Sequence, residues 1–313
     1  MDSFTDFDSQ SLVYNQRIKN KEASKRVNRI SLLLVAIFCF STFISVAITL
    51  ISQLVFGVSD TVLCPGLLDE LKSLYIYIIG FLAPVYLAIK IKNERASDYF
   101  KVRGKLHRNF IPYTFFVIGL SSVFLMISDF FFGSFSDAGD MPDLYGYSLL
   151  AIAVWFVSTA ILPALVEEFI FRGYILNSLL PFGKGFAVCC SAVFFSLMHS
   201  KDSLLFALCA GMLFAYITLE TGNIKTALLI HFINNSMTCL LYICETFSPS
   251  LYGIASFAYP IIVYTLMTVG ALVLAYRFNN PLSVSDKDGS CADIKAMITP
   301  VSLIVAAILL FLH

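Results

Sequence analysis

The sequence predicts an all-α fold, a polytopic integral membrane bundle of eight or nine transmembrane helices, on three observations. Of the 313 residues, 58% are hydrophobic and only 13% charged, whereas a soluble domain carries about a quarter charged residues. The apolar residues gather into long runs, and a run of about 20 can cross a bilayer as a helix. The runs lack a two-residue alternation. In lipid every backbone polar group must be satisfied internally, so such runs favour helices over a barrel.

The candidate spans follow in order. Ile30 to Gln53, Leu74 to Ile89 and Phe110 to Phe132 come first. Leu149 to Leu180, Phe186 to His199, Leu204 to Leu219 and Thr226 to Cys244 form the middle. Phe257 to Tyr276 and Met297 to Leu312 close the chain, and the last is the weakest. The expected division is a cytoplasmic segment over 1–29, N-terminal transmembrane helices over 30–148, a core over 149–245 and C-terminal helices over 246–313.

Basic residues set the expected orientation. Arg17, Lys19, Lys21, Lys25, Arg26 and Arg29 precede the first span, and Lys90, Lys92, Arg95, Lys101, Arg103, Lys105 and Arg108 follow the second. Both stretches are expected in the cytoplasm. Asp60, Asp69, Glu70, Asp137, Asp140 and Asp143 mark the opposite side, where Lys201 also falls, against the trend. The polar N-terminus has no cleavable-signal pattern, so the first run is expected to stay as an anchor. This points to an integral membrane protein with a cytoplasmic N-terminus, and the expected location is a bacterial cell membrane.

Composition also excludes. A net charge of zero gives no general attraction to nucleic acid. The eight cysteines form no C-x-x-C pair and read as small apolar residues. There is no P-loop, no G-x-G-x-x-G, no H-E-x-x-H and no G-x-S-x-G.

Three polar motifs interrupt the apolar core. The first is Glu167-Glu168-Phe169-Ile170-Phe171-Arg172. Each ionised residue at a helix centre costs about 2.5–3.5 kcal/mol on insertion scales, so such residues call for a function or a partner. Helical spacing puts Glu168 beside Arg172, four residues on, and leaves Glu167 without a local cation. The bland reading is a helix-packing ion network. The second motif is Phe195-Ser196-Leu197-Met198-His199, and the third is His231-Phe232-Ile233-Asn234-Asn235. His231 and Asn235 share one helix face. A lone intramembrane histidine is usually a packing hydrogen bond, so the conjunction of the three motifs carries the argument.

Their chemistry suits amide hydrolysis. Glu167 can take a proton from water that His199 orients. His231 and Asn235 can then stabilise the oxyanion. Alternatively, Glu167, His199 and His231 supply two nitrogens and one oxygen, a catalytic zinc set with an open fourth position.

E-E-x-x-x-R, F-x-x-x-H and H-x-x-x-N, in this order on successive hydrophobic segments, resemble the CPBP intramembrane proteases. That family includes the type II CaaX prenyl endopeptidases and bacteriocin-processing and immunity proteins. The resemblance covers about Ala151 to Cys244, with Glu220-Thr221-Gly222-Asn223 also similar. Ala215 and Ala227 depart from a common glycine and a common proline, positions that bear on packing. The resemblance implies Glu167, His199, His231 and Asn235 as catalytic residues, with Glu168 and Arg172 supporting. It implies an intramembrane endopeptidase with a membrane-associated or lipidated peptide as substrate.

Two other classes compete. A non-catalytic scaffold or bacteriocin-immunity protein would keep the fold and bind a membrane partner. A transporter would use Glu167, Glu168 and Arg172 as an ion path, but no pair of matching broken helices supports it. One geometric expectation concerns the 149–180 run, about 48 Å long as a helix against a hydrocarbon core of about 30 Å. Pro163 is expected to break it. The sequon Asn234-Asn235-Ser236 is expected to lie too deep for modification.

Overall fold

A computed structural model describes residues 2–56, 66–99, 102, 106–132, 143–277 and 292–312. The acidic markers Asp60, Asp137 and Asp140, and the basic Lys101, Arg103 and Lys105, lie outside the described residues. No strand occurs among the described residues.

All nine apolar runs are helices: six are long and apolar enough to cross a membrane and three are shorter. They are α1 (Asp2–Phe56), α2 (residues 67–91), α3 (Phe110–Phe132), α4 (Leu149–Phe182), α5 (Lys184–Ser196), α6 (Leu204–Thr221), α7 (Lys225–Phe247), α8 (Pro249–Arg277) and α9 (Pro300–Leu312). The helix α1 is much longer than its apolar run. Its 55 residues extend about 83 Å at 1.5 Å per residue, and the polar first turns are helical too.

The helices α4, α5, α6 and α7 form the centre. On one side α3 and α8 pack against each other and against α7. On the other, α1 packs on α2 and α9. The largest apolar cluster joins α1, α2, α4, α5 and α9 through Leu34, Ile37, Val85, Ile170, Ile175, Phe186 and Leu309. A second joins α3, α6 and α7 through Val117, Phe214 and Ile230. Between hydrocarbon and protein there is little hydrophobic drive, so close packing and small residues decide where helices meet. Gly211 on α6 shows this: a Cβ there would stand 3.0 Å from the Ala192 Cα of α5.

Pro163 does not break α4. The helix stays continuous and instead widens to π-type turns at Val157–Ile161 and at Glu168–Leu176. Proline lacks an N–H and its ring clashes with the carbonyl four residues back, so the preceding turn opens. The second wide turn leaves carbonyls poorly served, and the Asn177 amide donates to Gly173 O at 2.6 Å and to Arg172 O at 3.0 Å. Wide turns advance less per residue, which shortens a run that would otherwise overshoot the bilayer.

Candidate active site

The three motifs meet inside this core. Glu167 ends the α-helical stretch Leu162–Glu167, and Glu168 opens the wide turn that follows. Glu167, Glu168, Arg172 and His231 are all buried.

The expected Glu168–Arg172 pair is present. Arg172 Nη1 lies 3.0 Å from Glu168 Oε1, and both side chains are 0% exposed. Of the guanidinium nitrogens, buried Nε and Nη1 have no hydrogen-bond partner among the described residues. Its Nη2 donates to Gly211 O at 3.3 Å, an approach made possible by the close α5–α6 crossing. The rings of Phe195, Phe214 and Phe171 surround it, at 4.3, 5.2 and 6.0 Å from its central carbon. Cation–π contacts of this kind are worth most when desolvated.

His231 enters from α7. Its Nδ1 stands 3.0 Å from the same Glu168 Oε1. A carboxylate oxygen only accepts, so Nδ1 carries the proton, and the Nε2 of neutral His231 is left as an acceptor. That Nε2 faces Glu167 Oε2 at 3.9 Å. Glu167 Oε2 is buried and has no hydrogen-bond partner within the described residues. Phe214 stacks on the His231 ring at 5.1 Å and 20°.

His199 follows α5 and is half-buried. Its Nδ1 pairs with Phe195 O at 2.8 Å. A carbonyl accepts, so the proton is again on Nδ1 and Nε2 is again an acceptor. Phe195 stands between the two histidines, with ring centroids 4.5 Å from His199 and 6.1 Å from His231. His199 lies in electrostatic reach of Glu167, His231 and Arg172.

The two asparagines of the third motif divide. Asn234 Oδ1 accepts from Ser121 Oγ at 2.5 Å and ties α7 to α3. Asn235, one turn on from His231, is half-buried. Its amide has no hydrogen-bond partner among the described residues. At the end of α6, Gly222 adopts a left-handed φ of 70°, and just before it Glu220 accepts from the Tyr113 phenol.

The zinc alternative does not fit these residues. Among the described residues, no group of three or more His, Cys, Asp or Glu side chains is placed to hold a metal ion. The metalloprotease reading of Glu167, His199 and His231 therefore has no geometric support, and no step below runs through a metal.

Sequence motifs missed three parts of the site. Phe214 and Gly211 lie on α6, which carries no polar motif, and the Glu168–His231 contact joins residues 63 apart in the chain. A ring and a glycine on an apolar helix give no signal of their own.

Residues 149–237 match the family model of the type II CAAX prenyl endopeptidase Rce1-like proteins. No curated protein and no solved structure matches the chain. The matched stretch holds Glu167, Glu168, Arg172, His199, His231 and Asn235, and over it the chain is similar to the Rce1-like type II CAAX prenyl endopeptidases.

Proposed function

We propose that this protein is an intramembrane endopeptidase that hydrolyses a peptide bond of a membrane-associated or lipidated peptide, with Glu167 as general base. The observation that carries the reading is the buried Glu167 Oε2, without a hydrogen-bond donor, 3.9 Å from the Nε2 of His231. Two acceptors at that separation suit one water, each about 2.8 Å from its oxygen. The water donates one hydrogen to each, and its lone pairs are left for the substrate.

The reaction then balances with side chains alone. Glu167 takes a proton as the water oxygen bonds to the scissile carbonyl carbon. The carbonyl oxygen becomes an oxyanion. The carbon–nitrogen bond then breaks, and the Glu167 carboxyl returns the proton to the leaving amine. Glu168 fixes His231 as the Nδ1–H tautomer, and Arg172 neutralises Glu168. This makes His231 the partner of Glu167 in holding water, the role expected from sequence for His199. His199 is assigned to the substrate side, and Asn235 supplies an N–H to the oxyanion.

The test is Glu167→Gln in purified protein, assayed on internally quenched peptides ending in a CaaX motif, with and without a farnesyl group. The change removes a buried formal charge and so does not hinder insertion. Cleavage should disappear with the thermal transition unchanged. Wild-type turnover by this variant would remove Glu167 as the base; no cleavage by the wild-type chain itself would leave the scaffold reading ahead.

A further inference from the structure

The site described above is rich in acceptors and poor in donors. Glu167 Oε2 accepts. The Nδ1–H groups of His231 and His199 are committed to Glu168 and to Phe195 O, so in the neutral rings both Nε2 atoms accept as well. An oxyanion needs donors, and Asn235 is a single source.

A second source lies on the stretch of α2 that packs against the Glu167 stretch of α4, outside the matched segment. Tyr77 lies on α2 in the wide turn Ile76–Phe81, which packs against the Leu162–Glu167 stretch of α4. Its position is well fixed. Gly80 rests so close to α1 that a Cβ there would come within 2.9 Å of Ser41 Cα. The Tyr77 ring stacks on Phe81, with centroids 5.1 Å apart and planes 23° apart. The phenol interacts electrostatically with Glu167, yet it has no hydrogen-bond partner among the described residues. Tyr77 is half-buried against the main apolar cluster, and a phenol away from water usually finds one. Here the O–H is left for whatever enters next to Glu167.

We propose that Tyr77 is a further catalytic residue: its O–H donates to the scissile carbonyl oxygen as that oxygen becomes an oxyanion, alongside Asn235. This rests on the hydrolytic reading of Glu167. It gives α2, a helix without any polar motif of the family, a direct part in the chemistry. It also explains why a tyrosine is placed where a phenylalanine would pack equally well.

The experiment compares Tyr77→Phe with the wild-type chain and with Glu167→Gln, as full-length protein in detergent, on the farnesylated quenched CaaX peptide. Phenylalanine keeps the ring and its stack on Phe81. Loss of one oxyanion donor lowers turnover about 100-fold. The expected result is therefore a kcat reduced on that order, a KM within about 2-fold, since the contact forms only in the transition state, and an unchanged thermal transition. If Glu167→Gln is inactive while Tyr77→Phe keeps wild-type kcat, the Tyr77 proposal fails and the Glu167 reading stands. If Glu167→Gln retains activity, the assignment of Glu167 as the base fails by itself. A Tyr77→Phe protein with a lower melting temperature and a raised KM would overturn the proposal in favour of a packing role.

Discussion

His231 Nδ1 and Glu168 Oε1 lie 3.0 Å apart across two helices, and the same oxygen receives Arg172 at 3.0 Å. Glu168 thus sits between a guanidinium on its own helix and an imidazole on α7. One carboxylate settles two matters at once: it neutralises a fully buried cation, and it dictates which nitrogen of His231 is free to face Glu167.

Arg172→Ala should destabilise the fold by about 3–5 kcal/mol, because it strands Glu168 as a buried charge. Glu168→Gln combined with Arg172→Met should recover most of that. The glutamine oxygen still accepts from His231, and the methionine thioether suits the three surrounding rings. Denaturation of each protein in detergent checks this, and a double variant as weak as Arg172→Ala alone would disprove the pairing.

Neighbouring asparagines should behave oppositely. Asn234→Ala loses the bond to Ser121 and should cost about 0.5–1.5 kcal/mol with cleavage retained. Asn235→Ala should keep the melting temperature and lower kcat by about 100-fold. Measuring both quantities on both variants separates the roles, and a swapped pattern would reverse the assignment.

Gly211→Ala puts a methyl group 3.0 Å from Ala192 Cα. The crossing of α5 and α6 must open, and the Arg172 contact with Gly211 O lengthens with it. Overpacking of this kind costs about 1–3 kcal/mol. The variant should melt earlier and cleave more slowly; full activity at an unchanged melting temperature would show that the crossing has room to spare.

The helices were legible because hydrocarbon leaves the backbone no alternative, and each apolar run became one. The pair Glu168–Arg172 was legible because helical spacing alone brings its members together. The meeting of His231 with Glu168 was not, because it depends on how α7 packs across α4, and no local pattern encodes that. Pro163 misled for a related reason. A proline guarantees a lost hydrogen bond, but the turn can widen instead of breaking when neighbouring helices hold it. Phe214 stayed hidden because an aromatic residue on an apolar helix gives no sign of what its ring will stack on.

The widened turn at Val157–Ile161 acts as a phase setting for everything after it. An α-helix advances about 100° per residue. A turn that accommodates one residue more than usual therefore fixes the compass bearing of Glu167 around the α4 axis. If the same residues wound as ordinary turns, the motif would swing by about 100°. Glu167 would leave His231 behind, although every motif residue would still be present in the chain. Spacing within the motifs is thus only half of the code; the other half is written upstream, in the length of a stretch that carries no catalytic residue.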